Sequence, residues 1–71
     1  MKHGARNSFQ GAVKEIKKGS IMGEVVVEVE HNLTITSVMT LDSIDALNLQ
    51  IGDKVTAITK AINVVLLKDN L

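Results

Sequence analysis

Alternation of apolar and polar positions predicts strands along most of the chain. The run from Phe9 to Ile16 alternates as a first strand, with Gly11 at a bulge or a close backbone contact. The clearest alternation is "EVVVEVEH", which predicts a half-buried second strand. Its valines share one face and its glutamates share the other: Val25, Val27 and Val29 against Glu24, Glu28 and Glu30.

Two turns separate these strands from their neighbours. "KKGS" at Lys17–Ser20 contains a glycine that tolerates a positive φ. His31-Asn32 indicates a short hairpin turn without the usual glycine. Leu33 to Met39, rich in Thr, Ile and Val, then predicts a third strand.

The segment "TLDSIDALNLQIG" predicts the one short helix. Thr40 or Asp42 can cap its start, and Gly52 ends the unit. Three apolar residues recur at helical spacing: Leu41, Ile44 and Leu47.

Two further strand candidates follow, Lys54–Thr59 and Ile62–Leu67, which could also be one strand bent near Lys60-Ala61. The chain therefore predicts an all-β fold of four to five strands, with one short helix between strands three and four. This is a small barrel of the oligonucleotide/oligosaccharide-binding (OB) type. We expect it to form a single domain over residues 1–71.

Size and composition predict an oligomer. A chain of 71 residues buries only about 60% of the surface that it exposes when unfolded, so such chains usually need disulfides, a metal or partners. Cysteine is absent, and His3 and His31 lack metal-ligand spacing, so we expect no bound metal cation. With 45% apolar residues and Phe9 as the only aromatic, the core is expected to continue into other subunits.

Charge and motifs argue against several functions. The formal net charge is zero, which disfavours nucleic-acid binding. No apolar run resembles a membrane span or a signal peptide, so we expect a cytoplasmic protein without a membrane partner. No catalytic histidine pocket, phosphate loop or hydrolase motif is present, so we expect no enzyme.

Binding of a tetrahedral oxyanion needs few residues, and three segments offer donors. Arg6 supplies a planar fork, and Lys60 is followed by the small Ala61. Thr40 and Ser43 place two hydroxyls in the first turn of the helix, although Asp42 between them would repel an anion. Each segment also has an ordinary structural explanation, and the spacing does not show that the three converge.

Two stretches resemble the molbindins, the small molybdate-binding Mop (TOBE) domains: "ARN" near the start and "ITSVMTLDSIDALNLQIGDKVTAITKAINVVLL". The resemblance implies an OB-type barrel that assembles as a homohexamer, a trimer of dimers. It also implies that molybdate is held between subunits for molybdenum storage or homeostasis, with tungstate as the alternative anion.

The resemblance also implies site residues. The cationic ligands would be Arg6 and Lys60, and the neighbouring chain would supply hydroxyls. The full implied set is Ala5, Arg6, Thr40, Ser43, Lys60 and Ala61, with a second anion site at Lys18, Gly19 and Ser20. Gly4 stands where the family usually has serine, so one hydroxyl donor is missing.

Two other interpretations stay open. An oligomerisation module of the same fold without significant anion binding would assemble but ignore molybdate. An oligonucleotide-binding barrel would bind single strands in a salt-dependent manner.

Overall fold

The computed structural model describes residues 7–30 and 32–68 of the chain. Four antiparallel strands form one curled sheet in the order β3-β2-β1-β4, and a short helix α1 lies between β3 and β4. This is the OB-like, all-β architecture that the apolar pattern predicts. The elements are β1 (Asn7–Lys18), β2 (Met22–Glu30), β3 (Leu33–Thr40), α1 (Leu41–Ala46), β4 (Lys54–Thr59) and a 3-10 helix (Ala61–Asn63).

The long strand β1 connects the two halves of the sheet. Its first half pairs with β4, from Asn7 opposite Thr59. Its second half pairs with β2, ending with Lys18 opposite Gly23. The register with β2 shifts between Val13 and Glu15. Such a bulge bends the strand and increases its twist, which curls the sheet.

The core is small and aliphatic. Val13, Val25, Val27 and Ile44 are each at most 4% exposed, and Ile44 is the residue that α1 contributes. Burial of Val25 and Val27 confirms the predicted inward face of the second strand. Val29 is only half-buried, because the pairing with β3 shifts register between Glu28 and Glu30.

Several element ends differ from the pattern. β1 extends beyond Phe9–Ile16 at both ends, because β4 and β2 pair with the added residues. The helix stops at Ala46, well before Gly52, and Asn48 then adopts a positive φ of 51°. Asn32 likewise supplies the positive φ, 68°, of the predicted hairpin turn, although His31 lies outside the described residues.

The predicted strand Ile62–Leu67 is wrong for this chain taken alone. Residues 61–63 form the 3-10 helix, and residues 64–68 have no regular structure. A strand exists only where its backbone finds a partner, and no strand in the described parts of the chain pairs with this segment.

Gly11 marks the predicted close contact between β1 and β2. A Cβ at this position would collide with the backbone oxygen of Glu28 and lie 2.8 Å from Cγ1 of Val27. Neither strand can move apart without breaking the hydrogen bonds between β1 and β2. Glycine is therefore required because a side chain has no room here, and not because of its φ.

We therefore expect Gly11→Ala to lower the free energy of unfolding by about 1–3 kcal/mol. Denaturant titration at fixed protein concentration measures this loss. Ser8→Ala, on the exposed part of the same strand, is the matched control and should change stability little. Equal stability of Gly11→Ala and the parent would contradict the packing described here.

Candidate anion site

Thr40 and Ser43 form a hydroxyl pair at the start of α1. Thr40 is the N-cap, and its Oγ1 accepts a hydrogen bond from the Ser43 N–H at 3.1 Å. The same hydroxyl donates to Ser43 Oγ at 2.9 Å. This geometry selects Thr40 over Asp42 as the cap. Because Ser43 Oγ accepts this hydrogen bond, its own O–H can still donate to a ligand.

The nearby backbone N–H groups are largely used within the fold. Leu41 N–H donates to Ile21 O at 2.9 Å, and Gly19 N–H donates to Met22 O at 2.8 Å. Gly19 therefore closes its own turn, in which the side chains of Lys18 and Ser20 are exposed.

The fold brings this turn close to α1. The bond from Leu41 to Ile21 ties the start of the helix to the end of the turn. Lys18 Nζ also lies 3.6 Å from Oδ1 of Asp45 on α1. The hydroxyl pair of the first implied site and the turn of the second thus lie at the same end of the sheet. Asp45 was not identified from the sequence, because nothing in its spacing relates it to Lys18.

Lys60 and Ala61 lie just after β4. Lys60 is the extended N-cap residue of the 3-10 helix, and both residues are exposed. Within residues 7–30 and 32–68, no carboxylate forms a salt bridge with Lys60. Ala5 and Arg6 lie outside the described residues. Asn7, the last residue of "ARN", pairs with Thr59 and donates from Nδ2 to its backbone oxygen at 3.4 Å.

Lys60 and the hydroxyl pair lie at opposite ends of the sheet. Thr59, before Lys60, pairs with the first residue of β1. Thr40 pairs with Met22, which follows the turn after the last residue of β1. At about 3.3 Å per residue, the contour between the two ends of β1 is roughly 36 Å. Among the described residues, no hydrogen bond or salt bridge joins Lys60 to Thr40 or Ser43.

Negative charge accompanies the hydroxyl pair. Asp42 is exposed in the first turn of α1, directly before Ser43. Asp45 is partly neutralised by Lys18. No cluster of three acidic or histidine side chains that could hold a metal ion occurs in the parts of the chain described. Neither described helix is long and apolar enough to cross a membrane.

Comparison with known proteins identifies the family. The TOBE domain matches residues 4–66. Molybdenum-pterin-binding protein 1 of Clostridium pasteurianum is 41% identical over 63 residues, covering 89% of this chain and 93% of that protein. The chain is a TOBE domain of the molbindin (Mop) family.

Solved molbindin structures share the fold. A molybdate-binding protein from Sporomusa ovata superposes with a TM-score of 0.90 at 40% identity, over 96% of this chain and 100% of that one. MopII from Clostridium pasteurianum gives 0.88 at 37% identity, over 94% and 100%.

ModG, described as a cytoplasmic molybdate-binding protein with molybdate bound, gives 0.87 at 34% identity, over 92% of this chain and 46% of ModG. These molbindin relatives are named for binding, which confirms the expectation of a binding protein rather than an enzyme.

The two hydroxyls should differ in their effect on the stability of this molbindin, because only Thr40 caps the helix. Thr40→Ala removes the cap and should lower the free energy of unfolding by about 1 kcal/mol. Ser43→Ala keeps the capping N–H and should stay within about 0.5 kcal/mol of the parent. Thermal and denaturant unfolding compare the two. A larger loss for Ser43→Ala than for Thr40→Ala would contradict the cap geometry.

Proposed function

We propose that this molbindin binds molybdate in the cytoplasm and stores or buffers it for molybdenum homeostasis. The anion is held at subunit interfaces of a homo-oligomer. The observation that carries this proposal is the separation of the two donor sets, Lys60 after β4 and the Thr40–Ser43 hydroxyls at α1. Relatives named for molybdate binding support the ligand.

Assembly follows from this separation. A tetrahedral dianion needs cations and hydroxyls on several sides. One chain offers them after strands that pair with opposite ends of the sheet, and a second chain brings its hydroxyls to the first chain's cations. Arg6 joins Lys60 in this role, with Ala5 and Ala61 supplying backbone N–H groups. A homohexamer, a trimer of dimers, satisfies every copy by symmetry.

The ligand is the free oxyanion. Curated relatives are named for molybdenum-pterin, whereas the solved structures are named for molybdate. Phe9, the only aromatic residue of the chain, is on β1 and away from the hydroxyl pair. The donors are hydroxyls and cations, which suit a tetrahedral oxyanion better than a planar ring. Tungstate has the same shape and charge and competes with molybdate.

A second class of anion site lies at the turn Lys18–Ser20. The salt bridge between Lys18 and Asp45 places Lys18 beside α1, the helix that carries Ser43. The N–H of Gly19 closes this turn through its bond to Met22 O, and the φ of Gly19 is not positive. Lys18 and Ser20 therefore contact the anion.

Calorimetric titration with molybdate, then with sulfate, tests the function. Light scattering on the same sample gives the mass. We expect tight molybdate binding on an oligomer, with more than one anion per subunit if both classes fill and about one or fewer if only the interface class fills. An intact oligomer without molybdate heat would favour the oligomerisation module, in which Gly4 replaces a hydroxyl donor.

Lys60→Ala should weaken molybdate binding by about tenfold to a hundredfold, because a hydrogen bond to a charged group is lost. Lys54→Ala is the matched control: it makes the same charge change at the other end of β4 and should leave the affinity within about twofold. Both affinities come from the same titration. Equal losses in the two variants would show a general charge effect and refute the assignment of Lys60.

Asp42→Asn should strengthen molybdate binding by about threefold to tenfold at low salt, because it removes a negative charge beside Ser43. The gain should shrink as salt increases. Asp53→Asn is unsuitable as a control, since Asp53 caps a turn through Gln50 N–H at 2.9 Å. Glu30→Gln, exposed at the end of β2, serves instead. Unchanged affinity in Asp42→Asn would place the anion away from α1.

A further inference from the structure

The lysines of the two candidate anion sites differ in their electrostatic surroundings. Lys18 Nζ lies 3.6 Å from Oδ1 of Asp45 on α1, so this cation has a counterion in its own chain. Lys60 forms no salt bridge with any carboxylate among the residues that the structure describes. An anion that binds at the turn Lys18–Ser20 therefore meets a lysine that is already paired.

Asp45 lies where a carboxylate does not stabilise its own helix. α1 ends one residue later, at Ala46, and its last turn contains no basic residue. The carbonyl groups at a helix C-terminus carry partial negative charge, which repels an acidic side chain. Within the described parts of the chain, Lys18 is the only group that pairs with this carboxylate. The contact with Lys18 therefore accounts for a carboxylate at this position better than helix stability does.

The ion pair between Lys18 and Asp45 is open to exchange with a dissolved anion. The two side chains are 54% and 69% exposed. Exposed ion pairs contribute little to stability and are screened by salt. A tetrahedral dianion carries twice the charge of a carboxylate, and the exposed hydroxyl of Ser20 lies in the same turn as Lys18. Molybdate can therefore take Lys18 from Asp45, but it must break the pair to do so.

The helix cannot carry Asp45 away from the turn when the pair opens. A backbone hydrogen bond ties the start of α1 to the end of the turn. Ile44, the neighbour of Asp45, is 1% exposed and packs over Gly23, where an added Cβ would lie 2.7 Å from Ile44 Cδ1. Gly23 in turn pairs with Lys18 across the ladder. The displaced carboxylate can only rotate about its own short side chain, so it stays within about one Debye length, roughly 10 Å, of an anion on Lys18.

We propose that Asp45 is an intramolecular competitor of the anion for Lys18, and that it lowers the affinity of the second class of site. Molybdate binds at the turn by displacing the carboxylate, which then acts on the dianion as a nearby like charge. Lys60 has no such competitor in the described parts of the chain, so the second class fills at a higher molybdate concentration than the first. This inference rests on the second class of anion site in the proposed function and adds the residue that regulates it.

Asp45→Asn removes the competing charge and keeps the size of the side chain. In a calorimetric titration with molybdate at low salt, the dissociation constant of the second class should fall by about threefold to tenfold. Asp45→Glu keeps the carboxylate and should stay within about twofold of the parent, because an exposed ion pair tolerates the longer side chain.

Glu30→Gln is the matched control for this titration. It removes the same charge at the end of β2 opposite to the turn and should leave the affinity of the second class unchanged. Unchanged affinity in Asp45→Asn, or an equal gain in Glu30→Gln, would overturn the proposal.

Thermal unfolding without molybdate separates competition from a structural role. The midpoint of Asp45→Asn should lie within a few degrees of the parent, because the pair is exposed and a negative charge leaves the C-terminal end of the helix. A large loss of thermal stability would assign Asp45 to the fold and overturn the proposal.

Carboxyl-carbon NMR follows the exchange of partners directly. Without molybdate, the Asp45 signal of the parent should differ from its value in Lys18→Gln, in which the pair is absent. Addition of molybdate should move the parent signal toward that value as the second class fills. A signal that keeps its paired position while the second class fills would show that the anion leaves the pair intact, and would contradict the competition.

The calorimetric titration also distinguishes failure of this inference from failure of the proposed function. The absence of molybdate heat in both the parent and Asp45→Asn would refute both. A single class of site in both proteins would leave molybdate binding intact and refute the competition alone. A second class that is detected only in Asp45→Asn would support the competition.

Discussion

The pairing of β1 with two different strands is the constraint on which the rest of the structure depends. Its first half pairs with β4 and its second half with β2, so β1 spans the whole sheet. The bulge after Val13 curls that sheet, and Gly11 allows β1 to lie against β2. Through this strand the positions of the described candidate site residues are set. Lys60 lies near its first residue, and the Thr40–Ser43 pair lies near its last.

The same architecture leaves apolar surface uncovered in a single chain. Four buried aliphatic side chains form the core. The remaining apolar surface, in the groove between β3 and β4 and along Val64–Leu67, is left to water in a single copy. Burial of such surface between copies would favour the proposed assembly. In the proposed homo-oligomer, association would also join cationic and hydroxyl donors from different chains.

Much of this could be predicted from local pattern. Alternating valines identified the inward face of β2, and Thr40 and Ser43 were recognisable as a helix start. The strand Ile62–Leu67 could not be judged from the sequence, because a strand depends on a pairing partner that local pattern does not reveal. Local sequence pattern also could not predict contacts between distant segments. These are the salt bridge of Lys18 with Asp45 and the backbone hydrogen bond from Leu41 to Ile21. Nor does spacing along the chain reveal that Lys60 and Thr40 lie at opposite ends of a sheet.

Subunit complementation tests the two-chain site most directly. Lys60→Ala and Ser43→Ala chains are refolded separately and as an equal mixture, and each sample is titrated with molybdate. If the site joins Lys60 of one chain to Ser43 of another, about a quarter of the sites in the mixture regain both groups. The account predicts that this fraction binds with the parent affinity, although neither variant does so alone. A mixture that behaves as the sum of its two variants would contradict it.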